Sequence, residues 1–79
     1  MYKQYDVIKT VKPITQVCSI EGAEVSVPID SIGTIVEILS NTHSTAYLVE
    51  FMDDNGYTTA LVDLILGDFI HSELNDLRA

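Results

Sequence analysis

The tetrapeptide Asp53-Asp54-Asn55-Gly56 separates two apolar runs, Ala46-Tyr47-Leu48-Val49-Glu50-Phe51-Met52 and Tyr57 to Ile65. Asn-Gly between such runs is the strongest short-range hairpin signal, because both residues tolerate positive φ. The chain is thereby committed to an antiparallel pair, and the pair needs a register. The carboxylates supply one. Glu50 and Asp63, and Glu37 in the preceding run Gly33-Thr34-Ile35-Val36-Glu37-Ile38-Leu39, have to face water, since an unpaired buried carboxylate is very costly. Strict alternation then sends Thr34, Val36 and Ile38 inward, with Tyr47, Val49 and Phe51, and with Thr58, Ala60, Val62 and Leu64. Pairing Leu39 with Ala46 sets Ile38 opposite Tyr47, Val36 opposite Val49 and Thr34 opposite Phe51. The inward sets meet, whereas a one-residue slip would put them on opposite faces.

The remaining segments are less periodic. Tyr5 to Thr10 is short, β-branched and strand-like, with no alternation to decide between Val7 and Ile8 as the inward residue. Val11 to Ser31 is a long connection containing Pro13 and Pro28, with Ala23 to Val27 able to form an edge strand. Ser40 to Thr45 reads as a loop. After Gly67, Asp68 is placed to cap a short helix or 3-10 turn on which Ile70, Leu74 and Leu77 recur at helical spacing. Residues 1–79 are therefore expected to form one domain, mainly β: a small, closed or nearly closed barrel of about five antiparallel strands with a short C-terminal helix.

Charge narrows the partners. From Pro13 to Leu77 there is no lysine or arginine, yet that stretch carries eleven of the twelve carboxylates, and the net charge is −8. Nucleic-acid binding requires cations against phosphates, so direct binding is not expected. A cationic protein partner is. A single cysteine, Cys18, allows no internal disulfide, the N-terminus leads into no apolar signal-like stretch, and no run reaches a membrane span. These features favour the cytoplasm.

No catalytic centre is spelled out. Cys18 has no neighbouring base, His43 reads as a loop residue and His71 as a helix residue, and these three do not have zinc spacing. Asp53-Asp54-Asn55-Gly56 lacks the oxygen ligands of a calcium loop, because Phe51 stands where one is needed. The four glycines are too dispersed for a phosphate cradle. No enzyme activity, metal or cofactor is expected. The candidate contacts are on the outer face and the hairpin tip: Glu37, Glu50, Asp53, Asp54, Tyr57 and Asp63, with Ile35, Leu48 and Leu61 as an apolar strip among them.

In order, Gly33-Thr34-Ile35-Val36-Glu37, Tyr47-Leu48-Val49-Glu50-Phe51 and Asp53-Asp54-Asn55-Gly56 resemble the pattern of a family of short bacterial proteins catalogued as a domain of unknown function. Tyr5-Asp6-Val7-Ile8 resembles its start, so the likeness covers residues 5–10 and roughly 27–66. KOW-type and other SH3-like barrels share the Gly-Thr-Ile-Val entry. The resemblance implies a five-stranded SH3-like barrel without enzyme activity. Such families are often encoded beside toxin-like proteins, which implies an antitoxin or immunity role. The chain departs from the pattern in the long Val11–Ser31 connection. A similar subunit of photosynthetic NADH dehydrogenase-like complexes docks ferredoxin, itself acidic, for which a −8 chain is poorly suited.

The expected function is a non-catalytic module that docks on, and neutralises, a basic protein such as a nuclease-like toxin. Alternatives are an accessory or scaffold subunit held by its apolar strip, and a phage-type inhibitor that imitates DNA.

Overall fold

The structure, a computed structural model, describes residues 2–17 and 24–73. Among them are seven strands: β1 (Val7–Thr10), β2 (Ile14–Val17), β3 (Glu24–Val27), β4 (Ile32–Ser40), β5 (Thr45–Met52), β6 (Thr58–Leu64) and β7 (Phe69–His71). All pairings are antiparallel. One sheet runs β6-β5-β4-β1-β7, and β2-β3 form a separate hairpin. The molecule is mainly β, with five strands in the principal sheet, as expected. The sheet is open: β6 and β7 are its two edges.

The β5–β6 hairpin forms where the turn signal lies. Gly56 takes φ of +85°, a conformation that costs a residue without Cβ little. The Asp53 carboxylate accepts from the N–H groups of Asn55 (2.9 Å) and Tyr57 (3.0 Å), which widens the loop to Asp53–Tyr57. Tyr47, Val49 and Phe51 pair with Leu64, Val62 and Ala60 on the buried face, as alternation requires. A register shift follows at Thr59, whose hydroxyl bonds the Phe51 carbonyl (3.2 Å). Thr58 is consequently turned outward, against the expectation, and pairs opposite Met52.

A second bulge corrects the β4 register. Ile38 opposite Tyr47 and Leu39 opposite Ala46 agree with the sequence-based pairing, but Val36 is then left unpaired. Beyond it Ile35 faces Val49 and Gly33 faces Phe51. Thr34 and Val36 are therefore not the inward residues; Gly33 and Ile35 are, and Ile35 has no exposed surface. Two contacts explain the shift. The N-terminal segment takes up the backbone around the bulge, with the Tyr5 N–H donating to the Ile35 carbonyl (2.6 Å), the Ile35 N–H to the Asp6 carbonyl (2.9 Å), and Gln4 Nε2 to the Val36 carbonyl (2.9 Å). The Phe51 ring lies against Gly33 so closely that a Cβ there would stand 2.7 Å from Cε1. Only glycine fits under that ring, so Thr34 cannot take the inward place.

β1 places Ile8 in the core and buries Val7 on the other face. Its second neighbour is β7, where a helix was expected. Gly67 reverses the chain at φ of +100°. Asp68 does not cap a following helix; its carboxylate turns back to the Ile65 N–H (3.0 Å) and to Lys12 Nζ (2.9 Å). Phe69 then enters the core, packing edge-on against Tyr2 (4.7 Å) and Tyr47 (5.4 Å). The Val11 N–H donates to the Asp68 carbonyl and the Ser72 N–H to that of Val7, prolonging the β1–β7 ladder. Burial of an aromatic side chain outweighs the weak local helical spacing. Leu74 and Leu77 lie outside the described residues, as does Cys18.

The Val11–Ser31 connection contains the β2–β3 hairpin. Ile14 and Val27 face each other and are buried in the core. Pro28 follows the end of β3, and its carbonyl accepts from the hydroxyls of Thr10 (2.9 Å) and Ser31 (2.7 Å).

Candidate functional site

The outer face of β4, β5 and β6 is organised by pairing into cross-strand rows. Glu37, Leu48 and Asp63 form one row, and Thr34, Glu50 and Leu61 form the next. Met52 and Thr58 form a third toward the hairpin tip. Antiparallel partners stand about 5 Å apart on one face, and diagonal neighbours about 7–8 Å. Carboxylates thus alternate with leucines in both directions: Leu48 lies between two acids, and Glu50 has Leu61 at its side. Glu37, Asp63, Met52 and Leu61 are exposed, while Glu50 and Leu48 are half-buried. The Thr58 hydroxyl donates to Glu50 Oε2 at 2.8 Å and orients that carboxylate.

Asp53, Asp54 and Tyr57 lie apart from these rows at the hairpin tip. Tyr57 is 73% exposed. One oxygen of Asp53 is engaged by the loop N–H groups, so Asp54 is the less encumbered acid there. Ile35 is not part of the face at all. The bulge at Val36 turns it into the core, and the apolar strip is Leu48 and Leu61, extended by Met52.

Lys9 and Lys12 lie beyond these rows. Lys12 is committed to Asp68. Lys9 sits on β1 between Ile32 and Ile70, two strands from β5. Among the described residues no three His, Cys, Asp or Glu side chains come together as a metal site, and no helix is long and apolar enough to cross a membrane.

Sequence reasoning missed two polar arrangements. His71, on β7, lies 2.9 Å from Asp6 through Nε2 and against the Tyr2 ring (centroids 4.3 Å). Burial pushes the Asp6 carboxyl upward, but hydrogen bonds from His71 and the Lys3 N–H, with the charges of both residues, outweigh it and hold Asp6 below its ordinary 3.8. Gln16, on β2, reaches the backbone of Asp63 on β6. Both arrangements join residues at least 47 positions apart, and no local pattern announces them.

Fold and face together define a small antiparallel β domain with an anionic, leucine-studded outer wall. The family is shown by sequence: the model described as "Domain of unknown function (DUF4926)" matches residues 5–71, and the chain belongs to that family. The match includes the Val11–Ser31 connection. No curated protein and no solved structure matches the chain.

Proposed function

We propose that this protein is a non-catalytic binding module that docks through the outer face of β4–β6 on a basic protein and neutralises it, in the manner of an antitoxin or immunity protein acting on a nuclease-like enzyme. One observation carries the reading: the rows Glu37–Leu48–Asp63 and Thr34–Glu50–Leu61 place acids and apolar groups alternately on one wall. The leucines supply area to desolvate, while the acids steer a cationic surface and set its orientation. A substrate-handling enzyme site of nucleic acid is cationic, and an anionic cover fits it. The strand order β6-β5-β4-β1-β7, with a hairpin inserted between β1 and β4, supports an SH3-like reading of the domain. A bacterial, cytoplasmic setting accords with it.

The test begins with the protein captured by the tagged chain from native cells and then purified. Glu50→Lys with Asp63→Lys should slow its association at low salt by on the order of tenfold or more, and added salt should slow the parent in the same way. Unchanged association by the double variant would remove this face from the account. The exposed Leu61 and Met52 favour a second reading, an accessory subunit held by apolar contacts. Affinity that is nearly independent of salt, and lost in Leu61→Asp, would select it.

A further inference from the structure

The β2–β3 hairpin shares no ladder with the five-stranded sheet. Its base is fastened well. Ile14 and Val27 are buried, and Thr10 Oγ1 both donates to the Pro28 carbonyl and accepts from the Ser31 N–H, each at 2.9 Å. Farther out, Val25 packs half-buried against the core, and its cross-strand partner Gln16 adds an attachment of another kind. Gln16 Nε2 donates to the Asp63 carbonyl, and the Asp63 N–H donates to Gln16 Oε1 at 3.1 Å.

Asp63 lies on β6, an edge of the sheet. An edge strand turns alternate N–H and C=O groups away from its one partner, and these are a template for a further strand. A carboxamide offers one acceptor and coplanar donors, the same pair a peptide unit offers. Gln16 therefore occupies Asp63 as a residue of a neighbouring strand would. Two residues on, the edge is closed by different means: the Ile65 N–H donates to Asp68 Oδ2 (3.0 Å), and its carbonyl accepts from the Asp68 N–H (3.1 Å).

We propose that Gln16 is a positioning residue, a side-chain rung that latches the outer half of the β2–β3 hairpin onto β6 and seals that edge against pairing with another strand. Two neutral hydrogen bonds and the half-buried Val25 hold the outer half less firmly than the buried Ile14 and Val27 hold the base. The outer half of the hairpin accordingly opens as a local unit while the sheet stays folded. Opening bares the backbone of Asp63, the same residue whose side chain stands in the acidic row. The latch does not depend on the proposed partner, and its test uses the protein alone.

Amide hydrogen exchange followed by NMR reads the rung directly. In the parent the Asp63 amide should be protected although it points away from β5. Gln16→Met keeps the length and the apolar stem but removes both polar groups. It should accelerate Asp63 exchange about tenfold or more, with the Val62 amide unchanged. Gln16→Glu keeps an acceptor and loses the donor, and should give an intermediate rate. An unprotected Asp63 amide in the parent would overturn the proposal. So would equal Asp63 rates in parent and Gln16→Met, or a Gln16→Met variant in which Asp63 and Val62 accelerate by the same factor, which would mark a contribution to global stability alone.

Discussion

Gly33 and Ile35 exchange the roles that alternation assigns to Thr34 and Val36, and the reason is a contact between a ring and a backbone. Any Cβ at position 33 would stand 2.7 Å from both the Phe51 ring and Val49 Cγ1. Gly33→Ala should therefore destabilise the fold by about 1–3 kcal/mol through overpacking, a loss measurable by urea unfolding. At Ile35, which is fully buried, truncation to Ala should cost about 2–5 kcal/mol; an exposed docking residue would have been nearly neutral. Asp6 makes a pH prediction. Its folded pKa lies below 3.8, so its contribution is present above that value and is lost as pH falls through the lower, folded one. The stability gap between the parent and Asp6→Asn should shrink as pH falls below about 4. A gap that went on widening below pH 4 would contradict the lowered Asp6 carboxyl.

At the scale of elements, each departure from simple alternation is a place where one segment is captured by another far away in sequence. The bulge in β4 is held by Gln4 and Tyr5, and its effect is to let Ile35 and Ile38 face the core from one strand although they are an odd number of residues apart. The bulge at Thr59 sends Thr58 to Glu50. β7 is a strand because Phe69 has the Tyr2 and Tyr47 rings to pack against. Phe69→Ala should cost about 3–5 kcal/mol, and β7 should lose amide protection before β5 does. The β5–β6 hairpin, by contrast, was legible throughout its apolar part, because its turn residues and its carboxylates point to one register. The candidate face was legible for the same reason in Glu37, Glu50, Asp63, Leu48 and Leu61. It was misread at Ile35, because the outward demand of Glu37 fixes the register only on its own side of the bulge at Val36.

The whole molecule carries a net charge of −8 on 79 residues. Self-repulsion of that kind destabilises the compact state and is screened by salt. Raising ionic strength from low to physiological should increase Tm by several degrees, since about 1 kcal/mol corresponds to roughly 4–8 °C in a domain of this size. Calorimetry at two salt concentrations checks it; a Tm that fell would mean that ion pairs such as Lys12–Asp68 outweigh the repulsion. The charge distribution, the β class and the outward placement of Glu37, Glu50 and Asp63 are properties of the chain itself, because desolvating a carboxylate is so expensive that no packing arrangement can ignore it. Which residues slip, which segment becomes β7 and how the hairpin seals β6 were decided only by the folded molecule. Those outcomes rest on contacts between residues distant in sequence, each worth little until the rest of the core holds its partners in place.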